Sequence, residues 1–159
     1  MAMRVGLLFG GRSGEHEVSI RSAGSIAKAL STGNNLDKYE TVPVYIGKDG
    51  GWLSGKAAQQ VLETGVPLAG DGDSAGEDNL PDAAKLTERL PNLSDIGAID
   101  IWFPILHGPN GEDGTIQGLF EVLQMPYVGC GVLGSALGMD KLAMKSAFAQ
   151  VGLFSCGYL

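Results

Sequence analysis

Three short segments hold residues whose types and spacing can do chemistry. The first is Gly10-Gly11-Arg12-Ser13-Gly14-Glu15-His16-Glu17. A glycine-rich turn ahead of a helix offers backbone N–H groups to an anion. It lacks the lysine of a GxxxxGK[ST] loop and the spacing of a GxGxxG dinucleotide fingerprint. Its mark is a carboxylate on each side of a histidine. Glu15 and Glu17 suit the positive end of a helix; alternatively, one faces a ligand and accepts an ammonium group. Both readings stay open on chemistry alone. The second segment is His107-Gly108-Pro109-Asn110-Gly111-Glu112-Asp113-Gly114. A histidine before a glycine turn either serves as a structural donor or reaches a ligand. The carboxylates five and six residues on could orient its ring. The third is Met139-Asp140-Lys141. Asp140 is a natural helix cap. Lys141 in a first helical turn opposes the dipole, which hints at an anionic partner such as phosphate.

The elements that must position these residues are legible from hydrophobic periodicity. Arg4 to Phe9 is a short apolar run of strand length that stops at Gly10-Gly11. A helix is predicted from about Glu15 to Leu30, with Ala23, Ile26, Ala27 and Leu30 as its buried stripe. Tyr39 to Ile46 reads as a second strand, where Pro43 implies an edge or a bulge. Trp52-Leu53 reads as a short return strand. Asp100 to Leu106 is the next strand, ending at the His107 turn. The helix after it can be capped by Asp113 or Thr115 and carries a stripe of Ile116, Leu119, Phe120 and Leu123. Pro126 to Gly129 is predicted as a strand and Val132 to Gly138 as a short helix. A last helix, 140–151, presents Met144, Phe148 and Val151 on one face. Strands alternating with helices predict an α/β fold with a mostly parallel sheet of about four strands, flanked by helices. In such sheets ligands sit beyond the carboxyl ends of the strands, where the glycine clusters fall.

Composition narrows the classes. Of 159 residues 25 are glycine, more than twice the usual ~7% share, without a collagen repeat. Eighteen acidic side chains against eleven basic ones give a net charge of −7, with no basic run. That disfavours a nucleic-acid partner. Cys130 and Cys156 lack the number and spacing of a disulfide framework or zinc site, and read as reduced thiols of a cytoplasmic protein. No leader pattern is visible at Met1-Ala2-Met3-Arg4, and no apolar run approaches the ~20 residues that span a membrane. A surface insertion is expected at about 50–97. Its acidic stretch imitates a calcium loop at Asp71, Asp73 and Gly76, but Ala75 and Asp82 stand where further oxygen ligands are needed.

At this point four stretches resemble the N-terminal part of D-alanine–D-alanine ligases, enzymes of the ATP-grasp class. They are Leu7 to Ala23 (LLFGGRSGEHEVSIRSA), Phe103 to Gly118 (FPILHGPNGEDGTIQG), Pro126 to Lys145 (PYVGCGVLGSALGMDKLAMK) and Val151-Gly152-Leu153. The second fits the family pattern HGxxGEDGx-hydrophobic-QG at every position. The resemblance implies a Rossmann-like pre-ATP-grasp domain over residues 3–139, with 140–159 as the start of the ATP-grasp part. It implies ATP-dependent joining of two D-alanines for peptidoglycan synthesis, through an acyl phosphate, with Mg²⁺ or Mn²⁺. Glu15 matches the carboxylate that holds the first D-alanine's ammonium, and His107 the histidine of the same pocket; both are the candidate catalytic residues. Val18 and Ser19 match the helix start beside that substrate, Glu112 a supporting acidic residue, and Lys141 the lysine that reaches an ATP phosphate. A relative joining D-alanine to D-lactate or D-serine is the alternative, as is a non-catalytic binding or dimerisation module.

The resemblance does not extend to the lobes that supply the second phosphate lysine, the adenine pocket, an arginine and the acidic metal ligands. No metal ligand is therefore expected in this chain, no cofactor bound to it, and no ligase activity from it alone. Members read GLP after the last helix, whereas Phe154 follows Gly152-Leu153 here. The outer face of helix 140–151 is expected to be mobile or covered by a second copy. The resemblance also implies a homodimer.

Overall fold

The computed structural model describes residues 1–68 and 98–157. The candidate calcium loop and most of the predicted insertion lie outside the described residues. Four strands form one sheet: β1 (Met3–Gly10), β2 (Tyr39–Ile46), β3 (Trp52–Leu53) and β4 (Ile101–Pro104), in the order β3-β2-β1-β4. β1 runs parallel to both β2 and β4, and only β3 is antiparallel. Among the described residues five α-helices flank the sheet: α1 (His16–Leu30), α2 (Gly55–Thr64), α3 (Thr115–Val122), α4 (Val132–Met139) and α5 (Lys141–Gln150). The predicted α/β class and mostly parallel sheet are what the chain forms.

The sequence of β1 explains the two layers. Side chains alternate across a strand, so a continuous apolar run buries both faces. Leu7 and Phe9 join Ile20 and Ala23 of α1, Tyr45 of β2, and Ala58 and Val61 of α2 in one core. Leu8 joins Val44, Ile46, Trp102, Leu106, Ile116 and Phe120 on the other face. The Trp102 and Phe120 rings stack there with centroids 5.4 Å apart.

Several local expectations change. The register of β1 with β2 runs unbroken through the Leu7–Pro43 pair, so Pro43 makes no bulge. β3 reaches only Tyr45 and Ile46, which leaves Pro43 at an edge, where its missing N–H costs no ladder bond. The strand predicted at 126–129 shrinks to one parallel bridge between Trp102 and Tyr127. In α3, Ile116 and Phe120 are buried but Leu119 and Leu123 stay exposed, so the stripe is half as wide as predicted. α2 has no counterpart in the sequence reading. No residue of α4 or α5 is buried.

Candidate functional site

The sheet order places a topological switch point at β1. The chain leaves β1 for β2 on one side, while β4 lies on the other. The loops after β1 and β4 diverge there and leave a crevice at the carboxyl ends of the strands. The two glycine-rich segments are those loops.

The first loop needs Gly10. Its φ is 92°, and an added Cβ would collide with the Ile46 carbonyl oxygen. Beyond it, the Gly11 N–H donates to the Ile46 carbonyl at 2.8 Å. His16 opens α1 and is buried. Its Nδ1 lies 2.7 Å from the Gly11 carbonyl, and its Nε2 2.8 Å from the Tyr45 hydroxyl. A carbonyl only accepts, so Nδ1 carries the proton and Nε2 accepts from Tyr45. His16 therefore ties the loop to β2 and has no valence left for a ligand.

Ser19, one turn on, joins the two loops. It is fully buried; its hydroxyl accepts from the Gly10 N–H at 2.8 Å and donates to the Ile105 carbonyl at 2.6 Å. Its part in the site is to hold the two strand ends in register. Ser13 makes a second clip, donating to the His107 carbonyl at 2.7 Å. Val18 sits on the outer side of the first turn, 39% exposed.

The second loop folds around Gly108, with φ 71°. Its carbonyl accepts from the Gly111 and Glu112 N–H groups, and its own N–H donates to Glu112 Oε2 at 2.7 Å. Asp113 holds the rest. Its Oδ2 accepts from the N–H of Asn110, itself at φ 67°, and its Oδ1 from the Thr115 N–H. Partial burial pushes the Asp113 carboxyl up, but bonds from Asn110 and Thr115 outweigh that and leave it below its ordinary value. Gly114 is the cap residue of α3, and Asp113 satisfies the helix from one position earlier.

These loops bring three predicted residues together. Ligand atoms of Glu15, His107 and Glu112 lie within 4.8 Å of one another. His107 is half-buried, its Nε2 a long 3.3 Å from the Ser22 hydroxyl. The two glutamates are exposed, and neither forms an ion pair with another described residue. Like charges ~4 Å apart repel by about 1 kcal/mol in bulk water and about 4 kcal/mol near a protein surface. An unpaired carboxylate pair beside an imidazole is thus a place for a cation. Two cavities adjoin it. One, of about 390 Å³, is lined by Arg12, Trp52, His107, Asn110 and Leu119 among others. The other, of about 410 Å³, is lined by His107, Glu112, Gln117, Cys130 and Ser135 among others.

Lys141 does not line either cavity. It opens α5 behind Asp140, whose Oδ1 accepts from the Leu142 and Ala143 N–H groups as the cap reading expects. Lys141 is exposed and has no ion pair among the described residues. The residues that the motifs did not reveal are His16 and Ser13. His16 extends the α1 stripe backward, seven positions before Ala23, and that spacing was the available signal.

The chain is thus an α/β domain with a glycine-turned crevice at the switch point of a mostly parallel sheet, and with carboxylates and an imidazole at its mouth. A family model described as "D-ala D-ala ligase N-terminus" matches residues 4–130. The chain belongs to that family. It is 53% identical over 149 residues to a D-alanine--D-alanine ligase of Synechococcus sp. (strain RCC307), covering 94% of this chain and 40% of the relative. Its fold is similar to that of the D-alanine-D-alanine ligase from Coxiella burnetii, with a TM-score of 0.65, 29% identity, and coverage of 95% of this chain and 42% of that one. It is as similar to the VanG D-Ala:D-Ser ligase from Enterococcus faecalis, with a TM-score of 0.66, 29% identity, and coverage of 96% and 43%. The chain spans about 40% of the length of the relatives it matches.

Proposed function

We propose that this chain is the first-substrate half of an ATP-dependent ligase that joins two D-alanines. The observation that supports it is the unpaired Glu15–Glu112 carboxylate pair beside His107 at the switch point. In this reading Glu15 accepts the ammonium of the first D-alanine in a charge-assisted bond. His107 lies beside it to orient the substrate's carboxylate end. Glu112 holds the Gly108 N–H and so fixes the loop that carries His107. Val18 borders the substrate on the α1 side, and Ser19 keeps the two loops in register.

Mg–ATP does not fit the described residues. Mg²⁺ demands a near-octahedral shell of oxygens. The one cluster of three candidate ligands among the described residues includes an imidazole. No phosphoryl step is therefore assigned to it. Lys141 is the residue proposed to touch phosphate, and it opens α5 with no ion pair among the described residues. ATP and Mg²⁺ belong, in this proposal, to the complete enzyme, with ligands outside the residues described. No described helix is long and apolar enough to cross a membrane. The proposal places the enzyme in the cytoplasm as a homodimer, for which exposed Val122, Leu133, Leu142 and Val151 supply apolar surface.

The equal similarity to a D-Ala:D-Ser ligase supports a second reading, in which the second substrate is D-serine. The first-substrate site is common to both. Grafting residues 4–130 into the Synechococcus RCC307 ligase tests the proposal. ATP-dependent formation of D-alanyl-D-alanine is expected. A folded graft that hydrolyses or transfers nothing would contradict it, and preferential use of D-serine would select the second reading.

A further inference from the structure

We propose that His16 is a positioning residue for the first substrate. Through Tyr45 it sets where Glu15 stands, so that β2, a strand outside the motif stretches, governs affinity at the ammonium site. This deepens the functional reading and rests on it.

The placement of Glu15 is tight. It is the cap residue of α1, and its carbonyl accepts from the Ser19 N–H at 3.0 Å. Its carboxylate stands against the second loop: a Cβ added to Gly108 would lie 3.3 Å from Glu15 Oε2. Side-chain bonds hold this turn from two sides. Ser13 and Ser19 reach the carbonyls of His107 and Ile105, beyond β4. His16, the next residue after Glu15, reaches β2 through the Tyr45 hydroxyl at 2.8 Å.

The His16–Tyr45 pair is built to stay fixed. His16 is 1% exposed and Tyr45 is fully buried, so neither has water as an alternative partner. Their rings meet edge to face, with centroids 5.5 Å apart, and Phe9 packs on Tyr45 at the same separation. Tyr45 also supports the glycine turn, since a Cβ added to Gly10 would lie 2.8 Å from its ring. The other bond of His16, to the Gly11 carbonyl, has a different part. Gly11 is anchored on its own account, because its N–H donates to the Ile46 carbonyl. The loop therefore keeps its course without the Gly11 carbonyl bond. Without the Tyr45 bond, the first turn of α1 loses the side-chain tie that His16 makes to β2. A shift of ~1 Å in a substrate-positioning group can cost ~100-fold.

Two amide substitutions separate the bonds, because an Asn amide nitrogen stands close to the place of Nδ1 and a Gln amide close to that of Nε2. They are made in the Synechococcus RCC307 ligase carrying residues 4–130. His16→Asn keeps the Gly11 bond and loses Tyr45; His16→Gln keeps Tyr45 and loses Gly11. Each strands a buried group, so the urea midpoint should fall in both. Only His16→Asn should raise the KM for the first D-alanine, by about tenfold, with the KM for ATP unchanged. His16→Gln should restore it, although a merely structural role would make KM follow stability. Tyr45→Phe, which removes only the hydroxyl, should match His16→Asn. In a Glu15→Gln background His16→Asn should add little, because the two residues act in series. A KM that rises equally in both amide variants, in neither, or in His16→Gln alone would overturn the proposal. So would an undiminished effect in the Glu15→Gln background. A wild-type KM in Tyr45→Phe would overturn it even where His16→Asn fails to fold. If Glu15→Gln itself leaves the KM unchanged, the functional reading falls and this inference with it. A rise in Glu15→Gln but not in His16→Asn removes this inference alone.

Discussion

Ser19 illustrates how much of this site is built by side chains that never meet a ligand. Its hydroxyl satisfies a donor from the β1 end and an acceptor beyond β4, both inside the protein. Removing it strands two buried backbone groups, each costing about 1–3 kcal/mol. Ser19→Ala should therefore lower stability by roughly 2 kcal/mol or more, read as a drop in urea midpoint. An unchanged midpoint would show that the loops hold without this tie. Asp113 carries a pH signature. Its carboxyl lies below its ordinary value when folded. A depressed carboxyl stabilises the fold fully above its unfolded pKa and loses that contribution as pH falls through its folded one. The stability difference between the wild type and Asp113→Ala should stay level from about pH 7 to 5 and shrink below about pH 4. Urea midpoints across that range decide it, and a difference that grows on acidification would contradict the sign. At this scale the motif residues were legible. Glu15, His107 and Glu112 stood out because glycine turns and carboxylates cluster in sequence. Ser13 and His16 act through partners 94 and 29 residues away, and no local pattern encodes that.

Among the elements, those with long apolar periodicity were readable and those fixed by tertiary contact were not. β1 and α1 announced themselves through their apolar run and stripe. α2 did not, because only Ala58 and Val61 are buried, in an otherwise polar stretch. Its end signals were present in Ser54 and in Gly65, which closes it at φ 69°. The strand predicted at 126–129 failed because beyond the single Trp102 bridge the chain turns away to α4. α3 and α5 should respond differently to mutation. Phe120 stacks on Trp102 inside the core, so Phe120→Ala should cost about 3–5 kcal/mol in global stability. Asp140 caps a helix that buries nothing. Asp140→Ala should speed amide exchange at Leu142 and Ala143, at a local cost of about 1 kcal/mol, and leave the global urea midpoint in place. A midpoint shift as large as that of Phe120→Ala would mean that α5 belongs to the core's cooperative unit.

The described residues form one crevice-bearing sheet with its helices, in a family whose matched relatives are more than twice as long. The site is open, and Leu133 of α4, Leu142 of α5 and Val151 just after α5 are exposed. Positioning carries most of phosphoryl transfer. The 159-residue chain, mixed with ATP, magnesium and D-alanine, is predicted to release no phosphate above background. Release at the rate of a complete ligase would refute that division of labour. The central claim is narrower and rests on Glu15. It is tested most directly in the Synechococcus graft carrying residues 4–130, by measuring KM for the first D-alanine and for ATP with and without Glu15→Gln. A charge-assisted bond worth about 1.5–3 kcal/mol corresponds to a roughly 10–150-fold rise in the first D-alanine's KM, with the KM for ATP unchanged. Equal KM values for D-alanine in the two proteins, at equal turnover, would contradict it.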